Sequence, residues 1–150
     1  MFGCFPTGVT AVCSVVDGHP VGMAVSSFTS VSLSPPLVSA CIATTSTTWT
    51  ALRAARRLGV SILAANHGTV CRQLAGNEPS DRFVGVSWTR TVSGAIRIRA
   101  ASAWFECELE REIPVGDHII AILRIVSHRA DPTVEPLVFH RSGFRKLLAS

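Results

Sequence analysis

Asp17-Gly18 stands between two apolar, β-branched runs, GVTAVCSVV at 8–16 and the stretch that opens at Val21. Asp-Gly supplies the positive backbone angles that a tight hairpin turn needs, so the pair commits the start of the chain to two antiparallel neighbours. Further along, Pro35-Pro36 excludes helix, and LVSACIA at 37–43 is a short run of the fully buried strand type. The pattern changes at 48–57, TWTALRAARR, which is rich in Ala and Arg, sets Trp49 and Leu52 on one face and ends on a basic turn; it predicts a helix. Strand character returns at 58–64. A second short helix is expected over 68–76, GTVCRQLAG, followed by a polar loop at 77–82 and a segment at 82–88 that could pair or pack locally. From Ala103 the sequence alternates, with Phe105, Cys107 and Leu109 directed inward and Glu106, Glu108 and Glu110 outward. The stretch HIIAILRIV at 118–126 is apolar on both faces apart from His118 and Arg124, and the chain closes with 136–139 and 144–148. Many short strands, two small helices and no repeat or linker predict a mainly β fold, a closed antiparallel barrel.

At 150 residues the chain is read as one domain, 1–150, long enough to bury a core without disulfides. Hydrophobic residues make up 47% and charged residues 16%, a balance that calls for a partner over part of the surface, most simply a second copy in a homodimer. The net charge of +4 comes almost wholly from dispersed arginines, Lys146 being the only lysine, so nucleic acid is excluded as a partner. Cys4, Cys13, Cys41, Cys71 and Cys107 are irregularly spaced in apolar surroundings and read as reduced core thiols. His67 and Cys71 have helical i, i+4 spacing, but two ligands make no metal site. Neither a signal peptide nor a membrane-length apolar run is present, so the cytoplasm is expected and a membrane is not.

The richest stretch chemically is GMAVSSFTSVSLSPPLVSACI at 22–42. Alternation sets Val31 and Leu33 against Ser30, Ser32 and Ser34, the pattern of a pocket wall with an apolar back; an edge strand ending in Ser-rich turns gives the same pattern. Five hydroxyl residues in a row, Thr44 to Thr48, open the expected helix. Such an end needs one hydroxyl as a cap, and the excess suits a phosphate. His118, in Gly116-Asp117-His118, is either a ligand contact or a hydrogen-bonded structural residue, and His140-Arg141 lies beside an expected turn at Ser142-Gly143. GxGxxG, P-loop, GxSxG and HExxH patterns are all missing, so an enzyme built on this chain would rely on a cofactor for its chemistry.

Seven segments in order, FPTGV at 5–9, GMAVSSFTSVSLSPPLV at 22–38, GVSILA at 59–64, RFVGVSW at 82–88, FEC at 105–107, GDHII at 116–120 and PLVFHRSGF at 136–144, resemble the flavin reductase family with an FMN-binding split barrel. These are small components that supply reduced flavin to two-component monooxygenases. The resemblance implies a six-stranded antiparallel Greek-key split β-barrel, usually homodimeric, that moves hydride from NADH or NADPH to FMN or FAD, with reduced flavin passing to a separate monooxygenase by diffusion or transient contact. Carried over by position, Ala24, Val25, Ser26, Ser27 and Ser30 would line the flavin ring, Cys41 and Ile42 would lie beneath it, and Ser46, Thr47 and Thr48 would hold its phosphate. Asn66 and His67 would approach the cofactor, while His118, Val138, Phe139, His140 and Arg141 would face the nicotinamide nucleotide. No side chain is expected to act as a catalytic acid or base, and no metal is implied. Ser34 stands where many members have Asp, and Ser61 where many have Asn. The family also carries a helical segment ahead of FPTGV, which is expected to be missing or truncated here. A flavin- or deazaflavin-binding split barrel without reductase activity is the alternative.

Overall fold

The structure, a computed structural model, describes residues 1–148. Its strands and helices in order are β1 (Thr7–Gly8), β2 (Thr10–Val16), β3 (His19–Val25), β4 (Thr29–Leu33), β5 (Pro36–Ala43), α1 (Thr47–Leu52), β6 (Leu58–Ile62), α2 (Gly68–Leu74), β7 (Trp88–Arg90), β8 (Ile96–Ile98), β9 (Ala103–Val115), β10 (His118–Ala130), β11 (Val138–His140) and β12 (Gly143–Arg145). The expected hairpin forms: β2 pairs β3 with Val16 opposite His19, and both turn residues are left-handed, Asp17 at φ 50° and Gly18 at φ 78°.

Seven strands make the main antiparallel sheet, in the order β3-β2-β6-β9-β10-β5-β4, where the family resemblance implied six. The seventh is β4, which the turn at Pro35-Pro36 folds back onto β5 with Leu33 opposite Pro36. As an edge strand β4 has no apolar backing. A register shift between Ser30 and Ser32 interrupts the alternation, and Val31 and Leu33 are 51% and 94% exposed instead of facing an interior.

Strand β2 is buried on both faces. Val12 joins a core with Val25, Val38, Ile42, Val60 and Leu123, whereas Ala11 and Cys13 join a second core with Leu63, Leu74, Ile96 and Leu137. Residues drawn from both ends of the sheet order thus meet in the first core, so the sheet curls around it. Gly59 of β6 lies at the closest approach between layers, because a Cβ there would sit 1.9 Å from the Ile96 carbonyl oxygen.

Helix α1 stops at Leu52, five residues before the expected end at 57. Its following arginines leave the helix axis for the acidic face of β9: Arg53 pairs with Glu112, and Arg57 with Glu106 and Glu108. The outward glutamates are therefore a charge-paired face, with Arg124 of β10 bridging Glu108 and Glu110. The cysteine reading holds for Cys13 and Cys107, whose thiols burial pushes up to about 12, but Cys4 and Cys41 are exposed at the surface. No helix among the described residues is long and apolar enough to cross a membrane.

Candidate functional site

Ser26 and Ser27 follow the last residue of β3 and open into a groove of about 700 Å³. Phe28 and Phe139 also line it, together with Phe2 and Phe5 from the start of the chain. Pairing of β1 with β11, Thr7 opposite Phe139, brings the C-terminal hairpin to this place. Two sets of residues expected to hold different nucleotides, Ser26-Ser27 and Phe139, therefore share one wall. Val138 and His140 are half-buried on the same hairpin, and exposed Arg141 is tied by its amide to the Gly3 carbonyl, 2.9 Å away. The turn that carries it is built from two left-handed non-glycine residues, Arg141 at φ 51° and Ser142 at φ 59°.

From the groove the site continues along β5. The Ser27 hydroxyl donates to the Cys41 carbonyl and accepts from the Cys41 amide, both at 2.9 Å, pinning the end of β3 to β5. Cys41 faces outward and is exposed, but Ile42 is 2% exposed inside the first core, so its side chain lies beneath nothing but the sheet. Ala24 and Val25 likewise turn their side chains into the cores, leaving backbone as what they can offer a ligand. Ser30 is exposed on β4. At the far end of β5, Ala43 pairs with His118, and the Thr44 amide and hydroxyl both donate to the Asp117 carbonyl at 3.0 and 3.1 Å. Asp117 holds the half-exposed His118 ring through Nδ1 at 2.7 Å, and this contact keeps the Asp117 carboxyl below its ordinary range.

At the start of α1 the hydroxyls divide their work. Ser46 is the cap, accepting from the Trp49 amide at 3.1 Å. Thr47 and Thr48 instead line a second cavity of about 210 Å³ with Arg82. The guanidinium of Arg82 donates through Nη1 to Thr48 Oγ1 at 2.7 Å and to the Gly22 carbonyl at 3.0 Å, and through Nε to the Gly76 carbonyl at 2.9 Å. No carboxylate pairs with it among the described residues. Arg82 was not singled out from the sequence, although it opens the RFVGVSW segment. Two of its three partners, Thr48 and Gly22, lie 34 and 60 positions away, a distance no local pattern spans.

Asn66 and His67 are placed apart from these residues. Asn66 lines a shallow depression with Ala64, Ala65 and Glu135. His67 is 8% exposed, and its Nδ1 accepts from the Ala64 amide at 3.1 Å. Burial depresses its basicity, opposed by a hydrogen bond to the Arg99 backbone, so the neutral ring clamps the Ala64 turn from inside.

The model of the "flavin reductase like domain" family matches residues 2–148. The flavin-dependent monooxygenase reductase subunit HsaB of Rhodococcus jostii (strain RHA1) is 35% identical over 144 residues, covering 96% of this chain and 73% of that protein. The stachydrine N-demethylase reductase subunit Stc3 of Rhizobium meliloti (strain 1021) is also 35% identical over 144 residues, covering 95% of this chain, which spans 62% of Stc3. Among solved structures, the NADH:FAD oxidoreductase SgcE6 of Streptomyces globisporus C-1027, in complex with NAD and FAD fragments, matches with a TM-score of 0.91 at 38% identity, over 98% of this chain and 88% of that one. An antiparallel sheet curled on its own core, an edge-strand groove and a match running nearly end to end lead to one assignment: the chain belongs to the flavin reductase family.

Proposed function

We propose that this chain is an NAD(P)H:flavin oxidoreductase that reduces FMN or FAD and supplies the reduced flavin to a separate monooxygenase. The observation that carries the reading is Arg82, a part-buried guanidinium with no carboxylate partner among the described residues, fixed against Thr48 on the wall of a small cavity. A cation so placed suits a phosphate, and the edge strand β3 beside it offers unpaired backbone to a flat polar ring. A bound flavin supplies the hydride acceptor and a nicotinamide nucleotide the hydride.

The chain's own residues bind and orient. Thr47, Thr48 and Arg82 hold the phosphate, while backbone from Ala24 to Ser27, with Ser30 and Cys41, borders the ring. His118, with its Nδ1 engaged by Asp117 and its other nitrogen left for a ligand, and Val138 to Arg141 receive the nicotinamide nucleotide. Catalysis in this reading is positioning, with no side chain asked to move a proton.

The finer architecture belongs to the same proposal. Strands β3, β2, β6, β9, β10 and β5 form one split barrel within the single domain, joined across its seam by the Ser27–Cys41 hydrogen bonds, with β4 hung outside. A second copy covers the exposed Phe2 and Phe5 on the groove wall and the exposed Val31 and Leu33 of β4, and makes the working unit a homodimer. The five unpaired cysteines suit the reducing cytoplasm. Steady-state oxidation of NADH and NADPH, each with added FMN or FAD, tests the activity. Folded dimer that binds flavin without flavin-dependent turnover would instead make the chain a flavin- or deazaflavin-binding protein.

A further inference from the structure

Beyond the groove, β7, β8 and the far ends of β9 and β10 enclose a depression of about 290 Å³, at the opposite end of the 13-residue β10 from His118. Arg97, Arg99, Trp104 and Arg129 line it. None of the three arginines has an ion-pair partner among the described residues, whereas Arg53 and Arg57 after α1 and Arg124 on β10 all do. Among the described residues the only carboxylate on its lining is Asp131, which accepts from Thr133 through the amide at 3.0 Å and the hydroxyl at 2.6 Å and feels the charge of Arg129 only as its weakest influence.

Two donors there are buried and unmatched. Trp104 is 6% exposed and its Nε1 has no acceptor; Arg97, whose guanidinium carbon sits 3.5 Å above the Trp104 ring, has a buried Nε with none either. Buried N–H groups without acceptors are costly, and a ligand with several acceptor oxygens relieves that cost. The frame is also rigid. Arg99 is held by its amide to the Ser87 carbonyl at 3.0 Å, Ser102 to Ile62 at 2.9 Å, and Asp131 to Ser102 at 2.8 Å. Neighbouring arginines with free forks on a fixed frame match the charge and lone-pair geometry of phosphate, and the volume suits a small head group more than a whole nucleotide.

We propose that this depression is a second oxyanion site, separate from the flavin groove, that takes the phosphate group of a small phosphorylated molecule, either a nucleotide phosphate or free phosphate. Calorimetric titration with sodium pyrophosphate, inorganic phosphate and ADP, against sodium chloride at matched ionic strength, tests it. Three proteins are compared: the wild type, the double variant Arg99→Gln/Arg129→Gln, whose exposed side chains leave the fold intact, and Arg82→Gln, which removes the cation at Thr48. The expected result is a saturable pyrophosphate event that persists in Arg82→Gln and weakens roughly tenfold or more in the double variant. ADP binding tighter than pyrophosphate identifies a nucleotide as the source, and equal or weaker binding identifies free phosphate. Pyrophosphate binding that is absent, unchanged in the double variant or lost in Arg82→Gln overturns the proposal. Because Arg82→Gln addresses the flavin phosphate, a failure of the reductase reading leaves this outcome legible.

Discussion

Replacing Arg82 by glutamine separates what the guanidinium does for the fold from what it does for a ligand. Three hydrogen bonds leave with it, to Thr48, Gly22 and Gly76. At about 0.5–1.5 kcal/mol each, and with glutamine recovering part of one, the stability loss is roughly 1–4 kcal/mol. A charge-assisted contact to a flavin phosphate is worth about 1.5–3 kcal/mol, which corresponds to roughly a 10- to 150-fold rise in FMN Kd. Riboflavin, which has the same ring and no phosphate, is the control. Fluorescence titration of wild type and variant with both flavins closes a cycle in which FMN should lose that factor and riboflavin stay within about twofold. The wild-type preference for FMN should also shrink with added salt more than the variant's does. Equal losses for FMN and riboflavin would show that Arg82 only braces Gly22 and Thr48, and an unchanged FMN Kd would refute the phosphate assignment.

Replacing His118 by alanine should raise the KM for NADH while leaving flavin Kd nearly unchanged; steady-state kinetics with saturating FMN decides this, and a shift in flavin affinity alone counts against the nicotinamide assignment. Gly59→Ala should cost at least about 3 kcal/mol, because the new methyl group meets the backbone of Ile96 at 1.9 Å and not a flexible side chain; denaturant unfolding or failure to express as folded protein checks it. Ser142→Gly should gain roughly 0.5–1 kcal/mol by relieving the left-handed turn at φ 59°, read as a higher urea midpoint at constant m. Hydrogen bonding from Arg53, with a further bond from Trp49, holds the Glu112 carboxyl below its ordinary 4.5 against the opposing effect of burial. Since the folded state binds this proton less readily than the unfolded chain, the stabilisation is complete above that value and is lost as pH falls through the depressed one. Glu112→Gln should therefore show a smaller stability difference between pH 7 and pH 3.5 than wild type in chemical denaturation.

Local chemistry made part of the fold readable. Asp17-Gly18 specifies its hairpin because both turn residues need positive φ, and the alternation of Phe105, Cys107 and Leu109 with Glu106, Glu108 and Glu110 holds because β9 lies on the first core. Readings failed where a distant partner outweighed the local pattern. Arg53 and Arg57 extend a helical periodicity that the structure ends at Leu52, because glutamates more than 50 positions away draw them onto the sheet. Val31 and Leu33 alternate in a pattern that a pocket wall and an edge strand share, and the structure takes the edge, since alternation reports two faces and not which one is covered. In the site, Ser26 and Ser27 were legible as a polar wall following an apolar strand. For Ile42 and His67 sequence order gives the place in the chain but not the direction of the side chain, and both side chains turn inward. Arg82 was invisible for the converse reason, its meaning residing largely in the distant partners Thr48 and Gly22.

Because β2 separates two cores and contributes to both, neither can open without removing one face of the other's wall. Its amides, and those of β6 beside it, should exchange with solvent deuterium only through global unfolding, whereas β4 exchanges through local fraying. The groove thus borders the two kinetic extremes of the molecule, a slow-exchanging sheet centre on one side and a labile edge that can yield on the other.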